Sequence, residues 1–508
     1  MAKSTTTRRW WALAALALAM LVVGLDGTVL TVALPTLAED LHASTSQLQW
    51  FSSVYTLVMA AVLLPAGSLG DRFGRRALLL IGLVIFGGAS MLCALSTDPT
   101  MLIAGRALLG LGAAIMMPMS MAVLPAIFPD VKERARAFTI WVTSTAVGLP
   151  LGPILGGWLL EHFWWGSVFL INVPLVVIGG LAVAVLVPES RSAAAAGLDV
   201  FGVLLSSFGL LGLTFGFIAA GRHGWGDRSA WIALSAGIVL LVAFVFWQRR
   251  AAHPLISLSL FTNRWFSWGT IFATTVSFGL FGLLFAVPQF FQAIGGASPL
   301  GTGLRLLPMI GGLLVGTRLG ERVVNRAGAR PVIILGFVIL AAGLTLGATS
   351  TRATGYGTTA IWITLVGVGL GAVLPASMNA ALGALSSERA GSGSALISTL
   401  RQAGGTIGVA VLGTILNSGY RSQLGLLDRS PINDSVSAGV AVTKALGQPG
   451  AVIQVQSAFT HGMDVMLTST AILCAAAAIL AAVVLPRGRA KPANPNIETE
   501  EQAPSYVN

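Results

Sequence analysis

Charge is what this sequence lacks most. Aspartate, glutamate, lysine and arginine make up 10% of its 508 residues, against about a quarter in a typical soluble domain. Hydrophobic residues make up 55%, and together these fractions exclude a soluble globular chain. Cysteine is nearly absent: Cys93 and Cys474 both fall inside apolar runs, so neither a disulfide framework nor a zinc site is expected. The five histidines (His42, His162, His223, His253 and His461) are scattered near loops and offer no catalytic or metal-binding cluster. No Walker A sequence occurs, so no ATPase of the chain's own is expected. Lysine is scarce beside arginine while alanine and glycine are abundant, the bias of a GC-rich bacterial genome.

What the sequence does have is long apolar runs. About twenty residues at ~1.5 Å rise cross a ~30 Å hydrocarbon core. Runs of that kind lie at 11–35, 48–69, 77–95, 101–123, 137–160 and 166–187. Two more follow at 199–219 and 229–248, then six at 266–287, 302–319, 331–349, 358–382, 395–416 and 465–485. The first is too long for a signal peptide, carries Asp26 and is followed by thirteen others, so it reads as a span. With the N-terminus inside, the segments between spans hold twenty lysines and arginines on the cytoplasmic side and six on the outer side. That asymmetry satisfies the positive-inside rule and would vanish for an odd number of spans. Both termini are expected in the cytoplasm. The net charge of +11 is thus a matter of topology, and no nucleic-acid partner is expected.

The densest of the cytoplasmic segments is Gly67-Ser68-Leu69-Gly70-Asp71-Arg72-Phe73-Gly74-Arg75-Arg76. It has an echo: Leu69-Gly-Asp-Arg before Gly74-Arg-Arg is matched by Leu319-Gly-Glu-Arg before Gly328-Ala-Arg330, and Gly82 and Gly336 each follow eight residues later. Both copies fall after the second span of a six-span block. Transporters built from two such blocks bind substrate between them near the midplane. The expected organisation is an N-terminal six-helix bundle at 10–188, an inserted helix pair at 198–248 and a C-terminal six-helix bundle at 265–486. A long polar outer loop at 417–464 interrupts the last bundle, and the Pro-, Asn- and Glu-rich tail 487–508 is expected to be disordered.

Four stretches carry a resemblance to the fourteen-span drug:proton antiporters of the major facilitator superfamily, over roughly residues 10–486. The turn 67–76 resembles the signature loop of that superfamily. Leu25-Asp-Gly-Thr-Val-Leu-Thr-Val-Ala-Leu-Pro35 is similar to the family's L-D-x-T-V-x-N-V-A-L-P, with Thr31 in place of Asn. Arg106-Ala-Leu-Leu-Gly-Leu-Gly-Ala-Ala114 resembles R-x-x-x-G-x-G-A-A, and Gly148-Leu-Pro-Leu-Gly-Pro-Ile-Leu-Gly-Gly157 resembles the exporter pattern G-x-x-x-G-P-x-x-G-G. Arg401-Gln-Ala-Gly-Gly-Thr-Ile-Gly408 also looks typical of the fourteen-span group. The resemblance implies an all-α major facilitator fold in a bacterial cytoplasmic membrane, with two six-helix bundles and two inserted helices. It implies export of hydrophobic or cationic small molecules in exchange for protons, by alternating access, without a cofactor; the partners are substrate, protons and membrane lipid.

Asp26 is the sharpest site. A carboxylate inside a span costs several kcal/mol unless paired, hydrated or protonated, so it is expected to face a cavity, to carry a proton and to attract a lipophilic cation. Arg106 falls at comparable depth in the fourth span and is expected to interact with it. Gly148, Gly152 and Gly156 share one face of the fifth span, where small residues permit close helix approach. With Pro150, Pro153 and Gly157 they are expected to form a hinged, sealing contact between the halves. In the signature loop, Gly67, Asp71, Arg72, Gly74, Arg75 and Arg76 are expected to latch the cytoplasmic face. Arg401 is expected to be a buried partner or a charge in the substrate cavity, Arg305 to snorkel, and Asp464 to be interfacial. Trp50, Tyr55, Met116, Met117, Phe281, Phe285, Phe290 and Met378 are candidates for an adaptable cavity lining. The rival readings are a dedicated exporter of one endogenous metabolite, an uptake permease (against which the span-five pattern speaks), and a membrane enzyme or receptor, for which no catalytic set is present.

Overall fold

The structure, a computed structural model, describes residues 2–191, 197, 199–385 and 390–486; the tail 487–508 and Arg389 lie outside them. Fourteen helices are long and apolar enough to span a membrane. They are α1 (Arg8–Asp40), α2 (Thr45–Phe73), α3 (Arg75–Ala94), α4 (Pro99–Ile127), α5 (Lys132–His162), α6 (Ser167–Leu186), α7 (Val200–His223), α8 (Arg228–Gln248), α9 (Arg264–Ile294), α10 (Pro299–Ala327), α11 (Ala329–Gly347), α12 (Tyr356–Leu382), α13 (Ser392–Leu427) and, after the short helix α14 (Val436–Ala445), α15 (Pro449–Val484). No strand occurs among the described residues. An apolar run must satisfy its backbone internally in lipid, and the helix does so. Short polar residues mark where several helices start: Asp98 accepts from the N–H groups of Thr100 and Met101, Asp130 from those of Lys132 and Glu133, and Asn263 from those of Trp265 and Phe266.

Two apolar cores organise the chain. One joins α1–α6 around residues such as Leu16, Phe51, Phe86, Leu109 and Phe169; the other joins α9–α13 and α15 around Phe272, Phe337, Trp362 and Phe459. Phe285 and Val409 of the second half belong to the first core, so the halves meet there. The inserted pair does not stand apart from this seam. Leu210 of α7 packs with Leu57 and Ala60 of α2 and with Ala403 of α13. Thr414 and Asn417 of α13 donate to the carbonyls of Phe217 and Gly221 of α7, at 2.7 and 2.9 Å. α8 lies outside it, with Ile232, Ile238 and Val239 exposed.

The internal repeat extends to geometry. Gly74 separates α2 from α3 with φ 111°, and Gly328 separates α10 from α11 with φ 85°, a region that favours glycine. Arg76 and Arg330, each two residues on, donate to the carbonyls of Ala184 on α6 and Ala482 on α15. Each is the last helix of its block.

The polar stretch 417–464 is less of a loop than its composition suggests. α13 continues to Leu427 and α15 starts at Pro449, because a helix is free to outrun the hydrocarbon. α15 has 36 residues and measures ~54 Å at ~1.5 Å per residue. Asp464 therefore sits 15 residues inside the helix. It also lies ~30 Å from Val484, one hydrocarbon thickness away, which suits an interfacial position.

α1 packs closely on α5. A Cβ on Gly148 would stand 2.6 Å from the Leu21 carbonyl oxygen, whereas one on Gly88 of α3 would meet nothing within 4 Å. Gly148→Ala is thus expected to lower the thermal unfolding midpoint in detergent by several degrees. Gly88→Ala should leave it unchanged or raise it slightly, since alanine favours a helix by up to ~1 kcal/mol.

Candidate functional site

Five helices of the first bundle converge on Asp26. The residue lies in the middle of α1 and is 0% exposed; Arg106 on α4 is 2% exposed. One carboxylate oxygen of Asp26, Oδ2, receives a bond from Arg106 Nη1 at 2.9 Å; the other, Oδ1, receives one from Asn172 Nδ2 of α6, also at 2.9 Å. Asn172 Nδ2 additionally approaches Ser90 Oγ of α3 at 3.3 Å. On the α2 side Arg106 Nε donates to the Phe51 carbonyl at 3.2 Å, and its guanidinium carbon lies 4.5 Å from the Tyr55 ring centre. Each charge is held by an opposite charge and by further bonds, the condition under which a buried pair is tolerated. Around the pair, Asn172 Oδ1 and Tyr55 Oη have no hydrogen-bond partner among the described residues.

This arrangement corrects one expectation. Asp26 is sealed in the core rather than open to a cavity, and Arg106 and Asn172 hold its charge. It bears out the contact with Arg106. Asn172 and Ser90 were not singled out from sequence, although an asparagine in an otherwise apolar run (Ile171-Asn172-Val173) is itself an indication that something polar awaits it.

The basic turn is bonded entirely within the first bundle. Asp71 pairs with Arg75 at 2.7 Å, and Arg75 Nη1 donates to the Ala122 carbonyl of α4 at 3.1 Å. Glu189, which the sequence marks only as part of a break, accepts from the backbone N–H groups of Arg76 and Ala77 at 3.1 Å each, capping α3. Gly74 stands against this same carboxylate. Arg72 is exposed beside Phe73, and a Cβ on Gly67 would meet nothing. No bond between described residues takes this latch across to the second half.

The glycine face of α5 also differs from its expected partner. Gly148, Gly152 and Gly156 abut Leu21, Leu25, Thr28 and Val29 of α1, within the same bundle. Thr28 Oγ1 completes the contact by donating to the Leu149 carbonyl at 2.9 Å, a bond left open by Pro153 four residues on. Contact with the other half falls one residue further, where Gly157 meets Pro299 and Leu300, and where Gly303 of α10 meets Pro153. A 3.6-residue period identifies a face but not what covers it.

Among the described residues, the hydrogen bonds between the halves lie at mid-span or at the end opposite the basic turn. Thr45 bonds the Asp434 carbonyl at 2.8 Å, Gln292 donates to the Val32 carbonyl at 2.9 Å, and the Leu300 N–H donates to Glu161 at 3.2 Å. Mid-span, Thr406 donates to Thr56 at 2.8 Å. The halves are thus closed at the far end, around a cavity of about 250 Å³ that Glu39, Gln292, Lys444 and Gln456 help to line. Arg305 lies at this end beside Phe291 and Tyr356. Of the candidate lining residues, Tyr55, Met116, Phe285 and Phe290 are buried, while Trp50, Met117, Phe281 and Met378 are partly open. Arg401 on α13 touches Ser277 and Met378 of its own half.

Fourteen apolar helices, twelve of them in two pseudo-repeated bundles, with a charged pair sealed among them, define a multi-span membrane transporter. The chain belongs to the major facilitator superfamily, whose model matches residues 16–409. It is 32% identical to the tetracenomycin C resistance and export protein of Streptomyces glaucescens, over 96% of this chain and 93% of that one. It is 34% identical to the multidrug efflux pump LfrA of Mycolicibacterium smegmatis, over 95% and 96%. A methyl viologen resistance protein, SmvA of Salmonella typhimurium, is 34% identical over 87% and 90%. A solved structure of a bacterial homolog of the human lysosomal transporter Spinster superposes with a TM-score of 0.66 at 16% identity, over 93% of this chain and 97% of that one.

Removing one partner of a buried pair leaves the other charge uncompensated, at a cost of ~3–5 kcal/mol. Arg106→Met is therefore expected to lower the unfolding midpoint clearly. Asp26→Leu combined with Arg106→Met should recover much of that loss, as read in a double-mutant cycle on the purified protein.

Proposed function

We propose that this chain is a proton-coupled exporter of hydrophobic drugs or antibiotics, lipophilic cations included, working by alternating access in a bacterial cytoplasmic membrane. The reading sets the basic end and both termini in the cytoplasm. The observation that carries it is the sealed Asp26–Arg106 pair. A carboxylate this deep, held by a guanidinium and an amide donor, has two states: ionised and paired, or protonated with Arg106 released to seek other partners. Such a switch ties proton binding to helix packing, because the groups around Asp26 come from α2, α3, α4 and α6.

The far-end contacts close the outer side in this state, and they must break for release to the outside. Each is a hydrogen bond or a small apolar contact, so the gate can open at a cost of a few kcal/mol. When it opens, the basic ends approach, and the Asp71–Arg75 turn stands where it can latch them. The α1–α5 contact, dense and intra-bundle, moves as one body, and the Gly157–Leu300 junction is the hinge against the other half. The gradient of protons supplies the energy, and no cofactor is required.

The names of the relatives support export of drugs, including methyl viologen resistance in one. The relative named for tetracenomycin C export supports a second reading, a dedicated exporter of one endogenous antibiotic.

Purified protein in liposomes with an acidic lumen tests the proposal. Ethidium added outside should drive proton release from the lumen with wild type and not with Asp26→Asn. Equal release by both would keep antiport and move the proton carrier elsewhere. No response to ethidium or to a panel of lipophilic cations would favour the dedicated exporter.

A further inference from the structure

Arg401 is the other deep arginine, and its surroundings are the opposite of those of Arg106. It lies 9 residues from Ser392, where α13 begins, or ~14 Å along the axis. Its Nε donates to Ser277 Oγ of α9 at 3.2 Å, and its Nη1 approaches the weakly accepting Met378 Sδ of α12 at 3.6 Å. Ser277 is a neutral acceptor, its own proton donated to the Ala273 carbonyl at 3.1 Å, and it supplies no charge to offset the guanidinium. No carboxylate among the described residues lies within ion-pair distance of Arg401. A guanidinium carries five N–H donors; here one meets an oxygen, one meets a sulfur and the rest meet neither. The side chain is only partly buried, so it can be reached. The neighbouring Gln402 bonds Met59 Sδ of α2 at 3.2 Å, so this turn of α13 stands at the seam between the halves, where substrate passes in the proposed function.

We propose that Arg401 is an anion-accepting subsite. It takes a carboxylate, phenolate or sulfonate on an aromatic amphiphile, and it extends the range of transported molecules from lipophilic cations to anionic and zwitterionic ones. The assignment to transport rests on the export reading; the anion site itself does not. An anionic lipid headgroup offers the same chemistry, and the experiment separates the two sources.

The first arm measures thermal unfolding of the full-length protein in phosphatidylcholine, with 2-naphthoate or its methyl ester added. Wild type should be stabilised by the acid and not by the ester. Arg401→Gln should need about tenfold more acid or beyond for the same shift, the weight of a charge-assisted bond, and Arg401→Lys should restore part of it. Removing a charge that has no counter-ion should leave the baseline midpoint of Arg401→Gln unchanged or higher, which makes this variant a folded control. Absence of a naphthoate shift in wild type, or an equal shift in Arg401→Gln, would overturn the subsite. An Arg401-dependent shift produced by phosphatidylglycerol and not by naphthoate would assign the anion to lipid and overturn it as a substrate site. The second arm follows transport of rhodamine B, a zwitterion, and of its cationic methyl ester. Arg401→Gln should lose transport of the zwitterion and keep that of the ester. If wild type binds naphthoate but moves neither dye, the anion site stands and the export reading fails. If wild type moves both dyes and Arg401→Gln loses neither, export stands and the subsite fails.

Discussion

The polar groups at the middle of the first bundle are arranged around the cost of keeping one carboxylate out of water. A charge in a membrane-spanning helix must be paired, hydrated or neutralised, and Asp26 is paired. Arg106 meets one oxygen, Asn172 the other, and the Phe51 carbonyl and Tyr55 ring hold the far side of the guanidinium. These ligands belong to α2, α4 and α6, so the pair fixes how those helices sit against α1. The tight glycine contact on the opposite face of α1 fixes α5 as well. A proton arriving at Asp26 would therefore act on a structure whose parts are already in register with it.

The two halves solve the same packing problem in related ways. Each has a glycine of positive φ between its second and third helices and an arginine two residues on that reaches the last helix of the block. They differ in charge. The first half contains its own counter-ion for its deep arginine, and among the described residues the second shows none for Arg401. In the reading proposed above, this difference assigns proton handling to one half and ligand recognition to the other.

Most of the architecture was legible in the sequence because the bilayer imposes a length. Twenty apolar residues, bounded by charge on alternating sides, define each span, and all fourteen were recovered. Asp26 and Arg106 were legible because a charge inside such a run is costly and so demands a partner. Their full setting was not. Asn172 is neutral and interrupts its run only slightly, and Glu189 sits where composition signals a chain break rather than a helix cap. The face of Gly148, Gly152 and Gly156 follows from spacing, but the helix it meets depends on topology, and it proved to be α1 of the same bundle. The ends of α13 and α15 were misplaced because the rule that sets the length of a span says nothing about helix beyond the hydrocarbon.

The central claim is that substrate and proton share the Asp26 switch, and the direct test is stoichiometric. Purified wild type in weakly buffered detergent would be given ethidium while a pH indicator follows protons and fluorescence anisotropy follows binding. The account predicts proton release that saturates with ethidium occupancy and disappears in Asp26→Asn, which still binds. Release of equal size from Asp26→Asn, or binding by wild type with no release at all, would contradict it.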